Sequence, residues 1–298
     1  MSVLLGTGGA VENTPPQAIS LLTELPEAQA TGEVRDIYAE IRHWSAVPMV
    51  ALIYRHLATL PGALEWAWAL VGPTMRSGQL QERAWSLAAE ATVPCESEIS
   101  RAALAVAGID ADDERRICAV LAAYNRGNPI NIVAIRCLAG HLAGDVQRAR
   151  DIAVLPAWTP PQAITPLHAM VDPQATDAAV RSLVMRLTRG NAGETAALWP
   201  SIYRHLAPWP AFIGYASVIV PPRFGAIDAM ATQLREKIED TAADLARCMP
   251  VPKSIEGPTP VVQERLGAAI NRFSVRIPEM VVIGRMLRGA MPEDEVAP

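Results

Sequence analysis

The chain is short of the residues from which metal sites and disulfide frameworks are made. Its four cysteines, Cys95, Cys118, Cys137 and Cys248, form no C-x-x-C pair, which fits reduced thiols in a cytoplasmic protein rather than a disulfide scaffold. The five histidines give no H-x-x-H or H-x-x-x-H spacing and no cysteine sits close to them, so no metal site is expected. Long uncharged runs are also missing. The longest, Leu206 to Pro222, carries Pro208, Pro210, Pro221 and Pro222 and reads as buried helix and turns, not as a membrane span. The opening "MSVLLGTGGAVENTPP" has no basic start, its apolar run is too short for a signal peptide, and no strand precedes its glycines. The net charge is −5 and the basic residues are scattered, which excludes the footprint of a nucleic-acid binder. Strand-like alternation is nearly absent too.

What is present is half hydrophobic, enough for a substantial core in 298 residues, and it is present twice. The hexapeptide IYRHLA occurs at Ile53 and again at Ile202, an offset of 149 residues. The same offset pairs Pro61 with Pro210, Pro73 with Pro222, Arg116 with Arg265, Pro129 with Pro278 and Arg136 with Arg285. Upstream, PPQAI at Pro15 returns at Pro160 and QAT at Gln29 returns at Gln174, with an offset of 145. About four residues therefore enter the second copy between Thr176 and Ile202. The organisation read from this is a tail over 1–14, a first repeat over 15–144, a connection over 145–159, a second repeat over 160–290 and a tail over 291–298.

Apolar residues recur at threes and fours, so each repeat of about 130 residues is expected to be helical. Prolines are expected to punctuate: Pro48 opens a helix that Pro61 closes, the next stops at Gly72-Pro73, and Pro129 starts another with Asn128 as its cap. Ala-rich stretches at 81–91, 99–107 and 114–123 supply the remaining helices, and Trp66, Trp68 and Trp85 belong to the core. Trp199 and Trp209, beside prolines, are placed to close one end of a pocket. The fold class is thus all-α, with two tandem repeats packed about a pseudo-twofold axis and a seam suited to a shared pocket.

The residues that carry a family likeness are "IYAEIRHWSAVPMVALIYRHLATLPG" at 37–62, "YNRGNP" at 124–129 and "YRHLAPWP" at 203–210. They resemble the group I 2-haloacid dehalogenases over nearly the whole chain. The resemblance implies an all-α pseudo-dimer in which an aspartate between the halves activates a water. That water displaces halide from C2 of a 2-haloacid of either configuration, with no ester intermediate and no cofactor. Carried over residue by residue, Asn128 falls on an active-site asparagine and Ser201 on the serine preceding the aspartate. Ile202 then stands where the aspartate belongs. Met49 and Leu52 replace a pocket tryptophan and phenylalanine, and Ile270 a pocket tyrosine.

A water that attacks a tetrahedral carbon needs a base in reach, and isoleucine is not one. His205, one turn below Ser201 and Ile202, is the substitute, with Asn128 and Ser201 beside it. His56 occupies the matching place in the first copy, and Arg55 or Arg204 is placed to clamp a carboxylate. Against this stands a structural reading, in which Tyr-Arg-His anchors a helix end twice over. Glu194, in "NAGE", is a lesser candidate base whose spacing also fits a helix N-cap. Three functions remain open: an enzyme on a small organic acid with diverged chemistry, a non-catalytic binder of a small molecule, and a retained dehalogenase. The expected partner is a small carboxylic acid, with no nucleic acid and no membrane, and a homodimer is left open.

Overall fold

A computed structural model of the chain describes residues 22–95, 98–144, 146, 157–189, 199–249 and 257–293. Glu194 lies outside these residues, as does the tail over 1–14. Every regular element among the described residues is helical. The first half holds α1 (Gly32–Ser45), α2 (Leu52–Leu57), α3 (Ala63–Arg76), α4 (Gln79–Glu90), α5 (Arg101–Val106) and α6 (Ala111–Ala143). The second holds α7 (Ala178–Leu187), α8 (Ser201–Leu206), α9 (Pro210–Ile219), α10 (Phe224–Cys248) and α11 (Pro260–Ala290).

The long helices α6 and α11 pack against each other at the centre, and α10 and α4 lie along α6. Both α2 and α8 begin and end 149 residues apart, and α6 and α11 begin at that same separation. The contact between α6 and α11 is close. A Cβ built on Gly284 of α11 would stand 2.4 Å from Oδ1 of Asn125 on α6, while the Asn125 amide donates to the Gly284 carbonyl over 3.1 Å. No side chain larger than hydrogen fits there without displacing Asn125.

Three prolines sit differently from the expectation. Pro129 does not start a helix but lies inside α6, and Pro73 lies inside α3. Asn128 is accordingly a mid-helix residue and caps nothing. The cap of α6 is Asp110, whose carboxylate accepts from the Asp113 amide over 2.8 Å. Proline in a helix interior removes one hydrogen bond and crowds the preceding turn. Here burial against neighbouring helices on both sides of Pro129 outweighs that loss: Gly127, Ile130, Ile132 and Val133 are all buried. Pro48 lies before α2, which begins only after Ala51 in extended conformation.

Trp68 is buried, and Trp66 and Trp85 pack against the core from partly buried positions. The second half reaches back onto the first before α7 begins. Gly78, at φ 76°, leaves its open side to the ring of Trp158, and the Ile164 amide donates to the Ala46 carbonyl over 3.3 Å. Arg126 fastens the same crossing by donating to the carbonyls of Ala46 and Gln162. At the other end the chain stays packed beyond residue 290: Met291 is buried and Arg101 donates to the Glu293 carbonyl.

Candidate functional site

A cavity of ≈ 100 Å³ opens where α2, α6, α8 and α11 converge. From α6 it is lined by Tyr124, Gly127, Asn128 and Asn131, and from α11 by Phe273, Arg276, Ile277 and Met280. Each of these α11 residues is 149 positions after its α6 counterpart. Along α6 the side chains of this set are polar, whereas along α11 they are apolar except for Arg276. The short helices bring their first turns to the same space: Leu52, Ile53 and Arg55 from α2, and Ser201, Ile202 and His205 from α8, with Met49 and Val50 just before α2. The cavity thus has a polar wall and an apolar one.

The polar wall is organised around Tyr124. Its hydroxyl lies 2.7 Å from Nδ1 of His205. Burial pushes the Tyr124 phenol well above its ordinary value, so it stays neutral. Burial likewise lowers His205, from 6.5 to about 4, with the nearby charges of His168, Arg204 and Arg55 acting in the same direction. Its imidazole is therefore uncharged at neutral pH. Its other ring nitrogen, Nε2, hydrogen-bonds to no side chain or backbone group among the described residues. The His205 carbonyl accepts from Nε2 of His168 over 2.7 Å, and the His168 ring meets the His205 ring edge-on. The amides of Asn128 and Asn131 also have no hydrogen-bond partner among the described residues, so both are available to a bound molecule.

No aspartate or glutamate among the described residues lines the cavity, but two arginines do, Arg55 and Arg276. Arg55 is buried, bound to Glu24 at 2.6 Å and to the Val50 carbonyl. Arg276 is a third exposed and pairs with Glu279 at 3.0 Å. Each arginine is thus already paired with a carboxylate, and neither of those glutamates lines the cavity.

Of the residues singled out from sequence, Met49, Leu52, Asn128, Ser201, Ile202 and His205 meet in this cavity. His56, Arg204, Ile270, Trp199 and Trp209 do not line it. His56 turns outward, its Nδ1 2.7 Å from the Thr23 carbonyl, so the paired motif brings one imidazole to the cavity and not two. Arg204 donates from Nε to the Val171 carbonyl over 3.0 Å, away from the cavity, and the arginine that lines it is its counterpart Arg55. Ile270 is buried one turn nearer the start of α11, on the stripe that Phe273 and Ile277 continue into the cavity. Trp199 and Trp209 are buried outside it, Trp209 beneath His168. Sequence reasoning passed over Tyr124 and Arg276. The offset of 149 could have found the α11 wall, since applied to Tyr124, Gly127 and Asn128 it gives Phe273, Arg276 and Ile277.

No family model matches the chain. Its sequence is 28% identical over 193 residues to a configuration-inverting 2-haloacid dehalogenase of Alcaligenes xylosoxydans xylosoxydans, covering 60% of this chain and 64% of that one. A second such enzyme, from Pseudomonas sp. (strain 113), is 26% identical over 196 residues, covering 63% and 62%. The chain is a relative of the configuration-inverting 2-haloacid dehalogenases. The matched region spans under two thirds of the length of these relatives. Among solved structures, a D-2-haloacid dehalogenase mutant in complex with D-2-CPA superposes with a TM-score of 0.69 at 18% identity, over 92% of this chain and 97% of that one. A complex of D-2-haloacid dehalogenase with L-LA gives 0.70 at 18% identity, over 92% and 98%. This likeness is one of all-α fold. No helix among the described residues is long and apolar enough to cross a membrane.

Proposed function

We propose that the cavity takes a small carboxylic acid substituted at C2, and that the chain acts on it as a cofactor-independent, hydrolase-like enzyme of the cytoplasm. On this reading the two halves are copies of one unit, and His205 receives the proton that an aspartate receives in the related enzymes. The observation that carries it is His205: it lines a cavity with two arginines and, among the described residues, no carboxylate, and its Nε2 has no hydrogen-bond partner among those residues. Ile202, beside it, has no atom that accepts a proton.

The hydrogen bond of Tyr124 supplies what a base needs. When Nδ1–H donates to the Tyr124 oxygen, the lone pair of His205 is on Nε2. A water held by Asn128 then loses its proton to Nε2 as its oxygen bonds to C2. The C2–halogen bond breaks and halide leaves with the bonding pair, giving the 2-hydroxy acid. The lowered basicity of His205 keeps it unprotonated at neutral pH, as a carboxylate would be.

The test is halide release from each enantiomer of 2-chloropropionate. Activity that His205→Ala abolishes and His56→Ala leaves intact bears the reading out; activity that survives His205→Ala overturns it. A second reading, a non-catalytic binder, is favoured by the apolar wall of Met49, Leu52, Ile53, Phe273, Ile277 and Met280. Thermal shifts separate the two, because 2-substituted acids stabilise an acid-binding enzyme whereas only larger apolar compounds stabilise the binder.

A further inference from the structure

Resting on the acid-binding reading above, the geometry points to Arg276 as the residue that binds the ligand carboxylate, with Arg189 as a standing replacement partner for Glu279. Two arginines line the cavity, and the difference between them lies in what each would leave behind. Arg55 is the cation paired with Glu24, at 2.6 Å, and it is also tied to the Val50 carbonyl. Drawing it toward a ligand would strand the Glu24 carboxylate in a partly buried place, which is costly.

Arg276 is held differently. Its partner Glu279 is 7% exposed and is shared: Oε2 takes Arg276 at 3.0 Å, and Oε1 faces Nη2 of Arg189 at 3.3 Å. That second contact lacks hydrogen-bond geometry, since Oε1 counts as a buried acceptor without a hydrogen-bond partner. It is an ion pair with room to tighten. Arg189 itself does not wander. Both its terminal nitrogens fork onto Asp228 at 2.7 and 2.6 Å, and its guanidinium stacks 4.3 Å over the Phe224 ring. Glu279 therefore keeps a cation beside it when Arg276 turns to a ligand. Space favours the move too, because the residue matching Arg276 on the opposing α6 wall is Gly127, which presents no side chain.

Binding of lactate and of its neutral isostere lactamide, followed by calorimetry on the full chain, tests this. Wild type should bind lactate more tightly than lactamide by about ten-fold or more, the usual weight of a charge-assisted hydrogen bond. Arg276→Gln should bring the two to equal affinity, and Arg276→Lys should restore part of the gap. Arg189→Gln, which alters no cavity-lining residue and reaches Arg276 only through Glu279, should also weaken lactate and spare lactamide, because Glu279 then has Arg276 alone. Lactate preference that survives Arg276→Gln in a protein of unchanged helicity overturns the assignment while leaving the acid-binding reading intact. Unchanged lactate affinity in Arg189→Gln overturns the replacement role. A wild type that does not distinguish lactate from lactamide removes the acid-binding reading, and this proposal with it.

Discussion

The hydroxyl of Tyr124 on α6 and the imidazole of His205 on α8 stand 2.7 Å apart, although 81 residues separate them in the chain. This bond joins α6 to α8 at the cavity wall and engages one nitrogen of the ring, Nδ1. Tyr124→Phe keeps the ring and removes the bond, leaving a buried Nδ1 unsatisfied. The expected cost is about 1–3 kcal/mol of stability, read from denaturant midpoints. If His205 is the base, kcat falls while KM changes little, since Tyr124 acts through the ring and not on the ligand. An unchanged kcat would separate Tyr124 from the chemistry.

The burial of His205 makes a pH prediction with a definite sign. Its pKa is 6.5 in the unfolded chain and about 4 in the folded one. Between these values the unfolded chain binds the proton and the native protein does not. Stability contributed by the neutral ring is full above pH 6.5 and is lost as pH falls toward 4, on the order of 3 kcal/mol in all. Urea midpoints measured from pH 7 to pH 4.5 should fall more steeply for wild type than for His205→Gln. Parallel curves would show that the ring is not held neutral.

Gly284 and Asn125 test the packing of the two central helices. Gly284→Ala places a methyl group against Oδ1 of Asn125, whose amide is pinned to the Gly284 carbonyl, and should cost about 1–3 kcal/mol. Asn125→Ala clears the space, so the alanine at 284 should cost much less in the double variant than alone. Additive costs in this cycle, measured by chemical denaturation, would place the strain elsewhere.

Ile202 lines the cavity together with Met49, Leu52 and Asn128 and is 1% exposed. Ile202→Asp puts a carboxylate among apolar neighbours, which raises its pKa and lowers the melting temperature. The unengaged Asn128 amide is at hand to hydrogen-bond it. The expected outcome is a less stable protein with slow halide release from 2-chloropropionate that persists in an Ile202→Asp, His205→Ala background. No release in that background would mean that the position does not correspond to the aspartate of the related enzymes.

The helical class was legible because apolar spacing of three and four runs through both copies, and IYRHLA marked α2 and α8 to within one residue at each end. Helix ends near proline were not. Local rules place a boundary at Asn128-Pro129, yet α6 continues, because the burial of the residues on either side outweighs one missing hydrogen bond. The direction of a side chain on a six-residue helix was equally hidden. His56 and His205 occupy the same place in the same hexapeptide, and what differs is the surroundings: the Thr23 carbonyl captures one, and Tyr124 the other. Arg276 escaped notice because its counterpart, Gly127, carries no chemistry to search for.

The crossing of residues 157–171 over the first half bears on how the molecule assembles. Trp158 against Gly78 and Ile164 against Ala46 are contacts that the chain makes on the first half before α7 begins. They depend on a tether long enough to carry the chain back from the end of α6. Shorten that tether and the same embrace is satisfied only between two chains, each lending its second half to the other. The length of the connection, as much as any surface patch, decides between a self-contained chain and a swapped pair.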